Sequence, residues 1–319
     1  MKSFEQVFED IKSSVNNNEE VISLKKDLKK VKKKGIIIYI LVFILMNSQI
    51  LGLLLLDMGT GIFYFAYRLL IIIFALVVNI VIYAMTYRMK INIKKRDYLK
   101  VIDQCIVQTI MKSFFEDVDY KRYRWMSKDI YDRAKYNEIY DKIYSNGYVE
   151  AKDLKGNEIK ISELRVVDEY VYANGTRSEG VAFYGVFACV SSHKIIDADI
   201  FIKSNAIIDT NNKIDLDSSE FEKFFDVHTK NELIAMQVLT HDIMNDLVNF
   251  KKENDVEFDI KIKENNIYIR LKTEKIWEDF SQEEYFELNF EKIKRLYNIV
   301  SLINELYSKI IYAIENAGI

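Results

Sequence analysis

The fold class that the sequence predicts is a membrane α-helical hairpin plus a cytoplasmic α+β domain, with an antiparallel sheet covered by helices. Three observations predict it. Residues 35–87 hold two long apolar stretches joined by a short turn. From residue 148 the apolar period falls to two, which marks strands, and over 290–315 it runs at three and four, which marks a helix. The expected divisions are a basic helical segment over 1–34, the hairpin over 35–87, a helical stalk and connector over 88–145, and the α+β domain over 146–319.

The first apolar stretch, 35–56, carries no charge, and about 20 such residues suffice to cross a hydrocarbon core. Asn47, Ser48 and Gln49 interrupt it, and Asn79 in the second stretch is their natural hydrogen-bond partner. Starting the second span at 61 would bury Arg68 at a cost of about 2.5–3.5 kcal/mol. A start at about 69, ending at 87, leaves Phe63, Tyr64, Phe65 and Tyr67 as an interfacial aromatic belt with Arg68 at its edge. Lysine asymmetry then sets the orientation. Lys25, Lys26, Lys29, Lys30, Lys32, Lys33 and Lys34 precede the first stretch, Arg88 and Lys90 follow the second, and the turn near Asp57 has none. Both termini are therefore expected inside a bacterial inner membrane, with these nine cationic residues on lipid headgroups and the bilayer as a partner.

Charge divides the chain. Residues 1–96 hold 15 Lys and Arg against 7 Asp and Glu, whereas the remainder holds 30 against 41. An acidic domain behind a basic collar is repelled by nucleic acid, so no nucleic-acid partner is expected. Cys105 and Cys189 fall on apolar faces with no CxxC or His cluster nearby, which predicts buried, unpaired thiols.

Along the chain, Phe4, Val7, Phe8 and Ile11 give the first helix an apolar stripe. Residues 21–34 continue toward the first span with Leu24, Leu28 and Val31 on one side. Residues 91–115 form a further helix with Tyr98, Val101, Ile102, Cys105, Ile106 and Ile110 on its buried face. The alternation of aromatic and basic residues over 120–125 reads as a loop with inward-packed aromatics, not as a nucleic-acid surface. Strands are expected over 148–152, 158–172, 181–190 and 195–203, with a hairpin from 256–263 to 267–271. Between them, a helix is expected to start at Asp217, Ser218, Ser219 and Glu220 and to carry Phe221, Phe224 and Phe225. A helical run over 231–252 restarts at Thr240 with Asp242 in its first turn. The last helix, 290–315, lines up Ile293, Leu296, Val300, Ile303, Tyr307, Ile310 and Ile314.

Chemistry-bearing motifs are few. Residues 209–220 place Asp209, Asn211, Asp217 and Glu220 at calcium-loop spacing, but Lys213 and Ile214 stand where a ligand and the turn glycine belong. His241 lies beside Asp242 with no nucleophile nominated, and His193 and His228 lie elsewhere. Among ten glycines and three histidines there is no Walker loop, dinucleotide pattern, nucleophile elbow or metal spacing. No catalytic, metal or cofactor-binding residue and no cofactor is therefore expected.

Several stretches together resemble a known family. They are Ser3-Phe4-Glu5, the strand ending Ile159-Lys160-Ile161-Ser162-Glu163-Leu164, the strand Phe183-Tyr184-Gly185-Val186-Phe187, the run Ser219-Glu220-Phe221-Glu222-Lys223-Phe224-Phe225-Asp226-Val227, and Ile267-Tyr268-Ile269. They are similar to the bacterial membrane family known as domain of unknown function 3137. The chain departs from it at Leu239-Thr240-His241, where a proline is common in the family. The resemblance implies the layout and brings no activity. The expected function is a membrane-anchored interaction or scaffold module that binds a protein partner or self-associates. The alternative is a small-ligand sensor or enzyme with a carboxylate and tyrosine site outside any motif.

Overall fold

The computed structural model describes residues 2–55, 62–83, 85, 88–122, 124–136, 139–172, 174–192, 198–204, 212–274, 276, 277, 280 and 288–317, with only part of the side chains over 42–87. It divides into two compact units, Met1–Lys12 with Asp103–Ile319, and Ser13–Ile102.

The smaller unit is helical. Most of it comes from α2 (Glu19–Leu55), α3 (Ile62–Tyr83) and the first part of α4 (Met89–Lys112). Asn18 starts α2 by accepting from the N–H groups of Glu20 and Val21 at 2.9 and 3.1 Å, as an N-cap does. Val21, Leu28, Tyr98 and Ile102 are buried, and Ile36, Ile37, Ile38, Leu69, Leu70 and Phe74 are exposed.

The expected membrane hairpin is not found. Among the described residues no helix is long and apolar enough to cross a membrane. The spans expected over 35–56 and 69–87 are therefore withdrawn, and with them the multi-pass inner-membrane location. Asn79 is buried and Ser48 exposed. The side chains of Arg68, Asn47 and Gln49, and Asp57 itself, lie outside the described residues.

The larger unit contains the antiparallel sheet that the sequence predicts. Among the described residues it has nine strands: β1 (Glu116–Lys121), β2 (Lys142–Lys152), β3 (Glu158–Val171), β4 (Arg177–Ser191), β5 (Asp199–Ser204), β6 (Lys213–Ile214), β7 (Phe225–Thr229), β8 (Phe258–Lys263) and β9 (Asn266–Lys272). Their order is β1-β2-β3-β4-β9-β8-β5-β7-β6. Register explains the two faces. Val149, Ile161, Ala188, Ile269, Ile260, Ile202 and Val227 stand opposite one another across successive strands. This all-apolar row is one layer of the main core. Over that face lie α6 (Glu232–Val238), α7 (His241–Asn254) and α8 (Phe290–Ala317), with Phe250 of α7 edge-on to Phe258 of β8 at 5.3 Å. Each fully buried aliphatic side chain here contributes about 1.5–3 kcal/mol.

The opposite face is also covered. The segment around α5 (Lys128–Ala134) packs Met126, Tyr131 and Tyr136 onto Leu164, Phe187, Phe201 and Tyr268. The first turns of α1 (Phe4–Asn17) join the unit through Phe4 and Phe8, whose rings meet Phe290 at 5.1 and 5.0 Å. Ser3 and Gln6 form a reciprocal capping box there.

Two local expectations are corrected. The loop expected over 120–125 loses its first two residues to β1, Glu116–Lys121; Tyr120 packs inward as expected, whereas Trp125 is exposed. The helix expected from 217 is only a 3-10 turn, Phe221–Lys223, started by Ser218, and the chain then enters β7. The rings of Phe221 and Phe225 meet at 5.0 Å, tilted by 32°, and Phe225 packs on Phe258 of β8, so both are buried without needing a helix. The restart at Thr240 holds, since its hydroxyl accepts from Ile243 N–H at 3.5 Å. Both cysteines are buried and form no disulfide, and burial pushes the Cys189 thiol up to about 11.

Candidate functional site

The long strands β2, β3 and β4 run beyond the helices, and the candidate site lies on that projecting end. It begins with a bulge. The register of β2 against β3 shifts between Asn146 and Tyr148, and the extra residue, Gly147, takes a left-handed conformation with φ of 67°. A Cβ here would collide with the Trp277 indole, so glycine is required on both grounds. Ser162 donates to the Gly147 carbonyl at 2.5 Å and pins the bulge.

Beside the bulge, Glu163 is 2% exposed. Its Oε1 accepts from the Tyr184 hydroxyl at 3.0 Å and from Ile276 N–H at 3.1 Å. Its Oε2 accepts from Asn146 Nδ2 at 3.3 Å and from Trp277 N–H at 3.4 Å. Four donors saturate the roughly four lone-pair positions of a carboxylate. Glu163 therefore latches the chain after β9 to the projecting strands, and it has no acceptor position left for a substrate proton.

In front of the latch is an open hollow of about 570 Å³, lined by Tyr144, Ser145, Asn146, Glu163, Arg165, Val181 and Tyr184. Arg165 donates to Glu179 at 2.7 Å, and its guanidinium lies 5.8 Å from the centre of the Tyr144 ring. Farther out, Lys142 pairs with Glu169 at 2.5 Å. Tyr144, Tyr170, Val171, Tyr172 and Val181 are 46, 50, 68, 57 and 53% exposed. Such aromatic and apolar exposure, rimmed by ion pairs, has the composition of a contact surface.

Two other features serve the fold. Asp259 and Arg270 form a buried ion pair in which Oδ2 accepts from Nε at 3.1 Å and Nη2 at 2.5 Å, while Oδ1 accepts from Ser204 N–H at 3.0 Å. The Arg270 guanidinium sits 3.8 Å from the centre of the Tyr136 ring and donates to the Tyr131 hydroxyl at 3.1 Å. A groove of about 460 Å³ runs between α8 and the β2–β3 turn, lined in part by Lys112, Asp153, Lys155 and Tyr307. Burial, aided by the Asp153 charge, pushes the Tyr307 hydroxyl up to about 12, and Lys155 is paired with Glu315 at 2.9 Å.

The residues expected to meet lipid headgroups lie on or beside helices of the smaller unit. Lys25, Lys26, Lys29, Lys30, Lys33, Lys34, Arg88 and Lys90 are exposed and Lys32 is half-buried. None of them lies near the projecting strands in sequence. His241 opens α7, and His228 is buried in β7 beside Phe201. His193 and the start of the calcium-like loop, residues 209–211, lie outside the described residues; among those described, no His, Cys, Asp and Glu group could hold a metal ion. Glu163, Tyr184 and Trp277 were not singled out as a site. The only signal was the Gly147 that interrupts the strand pattern, which can mark a bulge.

The comparisons add no chemistry. No curated protein matches the sequence. A solved structure, the mycobacterial trehalose monomycolate transport factor A, TtfA, is similar with a TM-score of 0.34 at 8% identity, over 61% of this chain and 92% of that one. Residues 181–306 match the model of a family described as protein of unknown function (DUF3137), and over that stretch the match supports the family resemblance read from the sequence.

Proposed function

We propose that the chain is an interaction or scaffold module whose contact surface is the projecting end of β2, β3 and β4. One observation carries the reading: large apolar and aromatic side chains at 144, 170–172 and 181 are exposed on strands whose inner portions are buried on both faces. Tyr144, Val171 and Val181 share one face of the ribbon with the Arg165–Glu179 pair, and Tyr170 and Tyr172 lie on the other; isolated exposed apolar residues need no explanation, but such side chains grouped beside charge mark a binding patch. The saturated Glu163 supports binding over catalysis.

Native mass spectrometry of the full-length protein tests this, with wild type compared against V171D/V181D. Wild type is expected as a defined oligomer or with a stoichiometric protein companion, and the variant is expected to lose it while remaining folded. A wild-type monomer, or association that the variant leaves unchanged, overturns the proposal.

A further inference from the structure

Beyond Val167 the sheet narrows to the β3–β4 hairpin, whose two outer edges are treated differently. On the β3 side, β2 ends with Lys142 against Val167, and the next outward group, the Glu169 N–H, donates to the Asp141 carboxylate at 2.7 Å. That edge is capped. On the β4 side, β9 reaches only as far as Lys272 against Gly185, where the Leu271 carbonyl approaches too closely for any Cβ. Arg177, Ser178 and Glu179 are exposed, and on this side they make no backbone hydrogen bond among the described residues.

Which groups point outward follows from the ladder. The Tyr172 N–H donates to the Thr176 carbonyl at 2.9 Å, so those two residues form the hydrogen-bonded pair at the tip. Antiparallel pairs alternate between bonded and non-bonded. The backbone groups of Ser178 and Gly180, opposite Tyr170 and Asp168, therefore turn inward, and those of Arg177 and Glu179 turn outward. The capped N–H of Glu169, which is opposite Glu179, points away from β4 as this alternation requires.

Resting on the proposed interaction role, we infer that this edge pairs antiparallel with the same edge of a second copy of the chain, about a twofold axis at Ser178. Registers centred on Arg177, Ser178 or Glu179 all bring outward groups face to face. The first sets arginine against arginine and the last glutamate against glutamate, both unfavourable for directly opposed side chains. The register centred on Ser178 sets Arg177 against Glu179 of the other copy, twice, and each such pair exchanges both N–H···O bonds. The edge is thus complementary in charge to itself. Among the described residues Arg177 has no ion-pair partner, and Glu179 is held on the same face by Arg165.

The register makes the test specific. At its centre the two Ser178 residues form a non-hydrogen-bonded pair with Cα atoms about 4.5 Å apart, inside the about 4.4–6.8 Å range that a disulfide spans. Full-length S178C is expected to give a covalent dimer under mild oxidation, since the native cysteines are buried. R177C and E179C, each facing a residue other than cysteine, are expected to give none. Adding R177E to S178C turns both charge pairs repulsive and is expected to lower the dimer yield about tenfold, the factor that 1.4 kcal/mol makes. Equal cross-linking of all three cysteine variants, or a yield unmoved by R177E, overturns the inference. A native oligomer that S178C does not trap, or a disulfide to a different protein, overturns the self-pairing and leaves the interaction role standing. Absence of any association in the native spectrum removes both.

Discussion

Strands β3 and β4 pass through two environments, and the contrast shows where the molecule commits its stability. Near β9 their side chains are covered on both faces: Val186, Phe187, Ala188 and Val190 are buried, as are Ile159 and Ile161 opposite them. At the far end the same two strands carry Glu169 against Glu179 and Val171 against Arg177, and among the described residues no layer covers either side of the hairpin. Two arginines make the same point. Arg270 is 3% exposed between Asp259 and aromatic rings, whereas Arg165 holds Glu179 in contact with water. Buried polar groups that are fully paired fix one core arrangement; exposed pairs on a ribbon leave its surface available to another molecule.

The sharpest way to break the comparison is to remove one member of each pair. Asp259→Ala leaves Arg270 buried without its counter-charge, and urea unfolding is expected to show a loss of about 3–5 kcal/mol. A loss below 1 kcal/mol would mean that water reaches the site. Glu163→Gln keeps one acceptor oxygen and places a donor against the N–H of either Ile276 or Trp277; a loss of about 1.5–3 kcal/mol is expected, along with a shift in Trp277 fluorescence. Unchanged emission would show that Glu163 does not hold that segment. Arg165→Ala, at the ribbon, is expected to cost less than about 1 kcal/mol, and a larger loss would make the far end part of the stability core.

The smallest effect is local and pH-dependent. The backbone hydrogen bond from Glu169, helped by the Asp168 side chain, holds the Asp141 carboxyl below its ordinary value. A depressed native pKa means that the stabilisation is present above the unfolded value, about 3.9, and fades as the pH falls through the lower native one. The Glu169 amide resonance is therefore expected to move on acidification below about pH 4 in wild type and to stay still in Asp141→Asn. The same movement in both would detach the cap from Asp141.

How much of this was legible in the sequence depended on whether the residues announced their own environment. The alternation over 148–203 and 256–271 exposed most of the sheet, because period two survives wherever a face is buried. Strand β1 was hidden because Glu116, Asp117 and Asp119 make an edge strand look like a loop. Strand β7 was hidden because Phe221, Phe224 and Phe225 imitate a helical stripe, whereas Phe225, Val227 and Thr229 pair with β5. Asp259 and Arg270 alternate with apolar neighbours as solvent-facing residues do, and Glu163 is a lone carboxylate on the parity of Ile159 and Ile161. They are buried because segments remote in sequence, Ile276 with Trp277 and the α5 region with Tyr131 and Tyr136, close over them. The apolar stretches of 35–87 pointed to a hairpin that the described residues do not bear out.

Hydrogen exchange at single-residue resolution along β4, recorded over a range of protein concentrations, tests the central claim most directly. Ser178 and Gly180 amides face β3 and are expected to be protected at every concentration. Arg177 and Glu179 amides face outward, so they are expected to exchange freely in dilute protein and to become protected as the edge is occupied. Free exchange of Arg177 and Glu179 at all concentrations and in the presence of every companion would contradict the account.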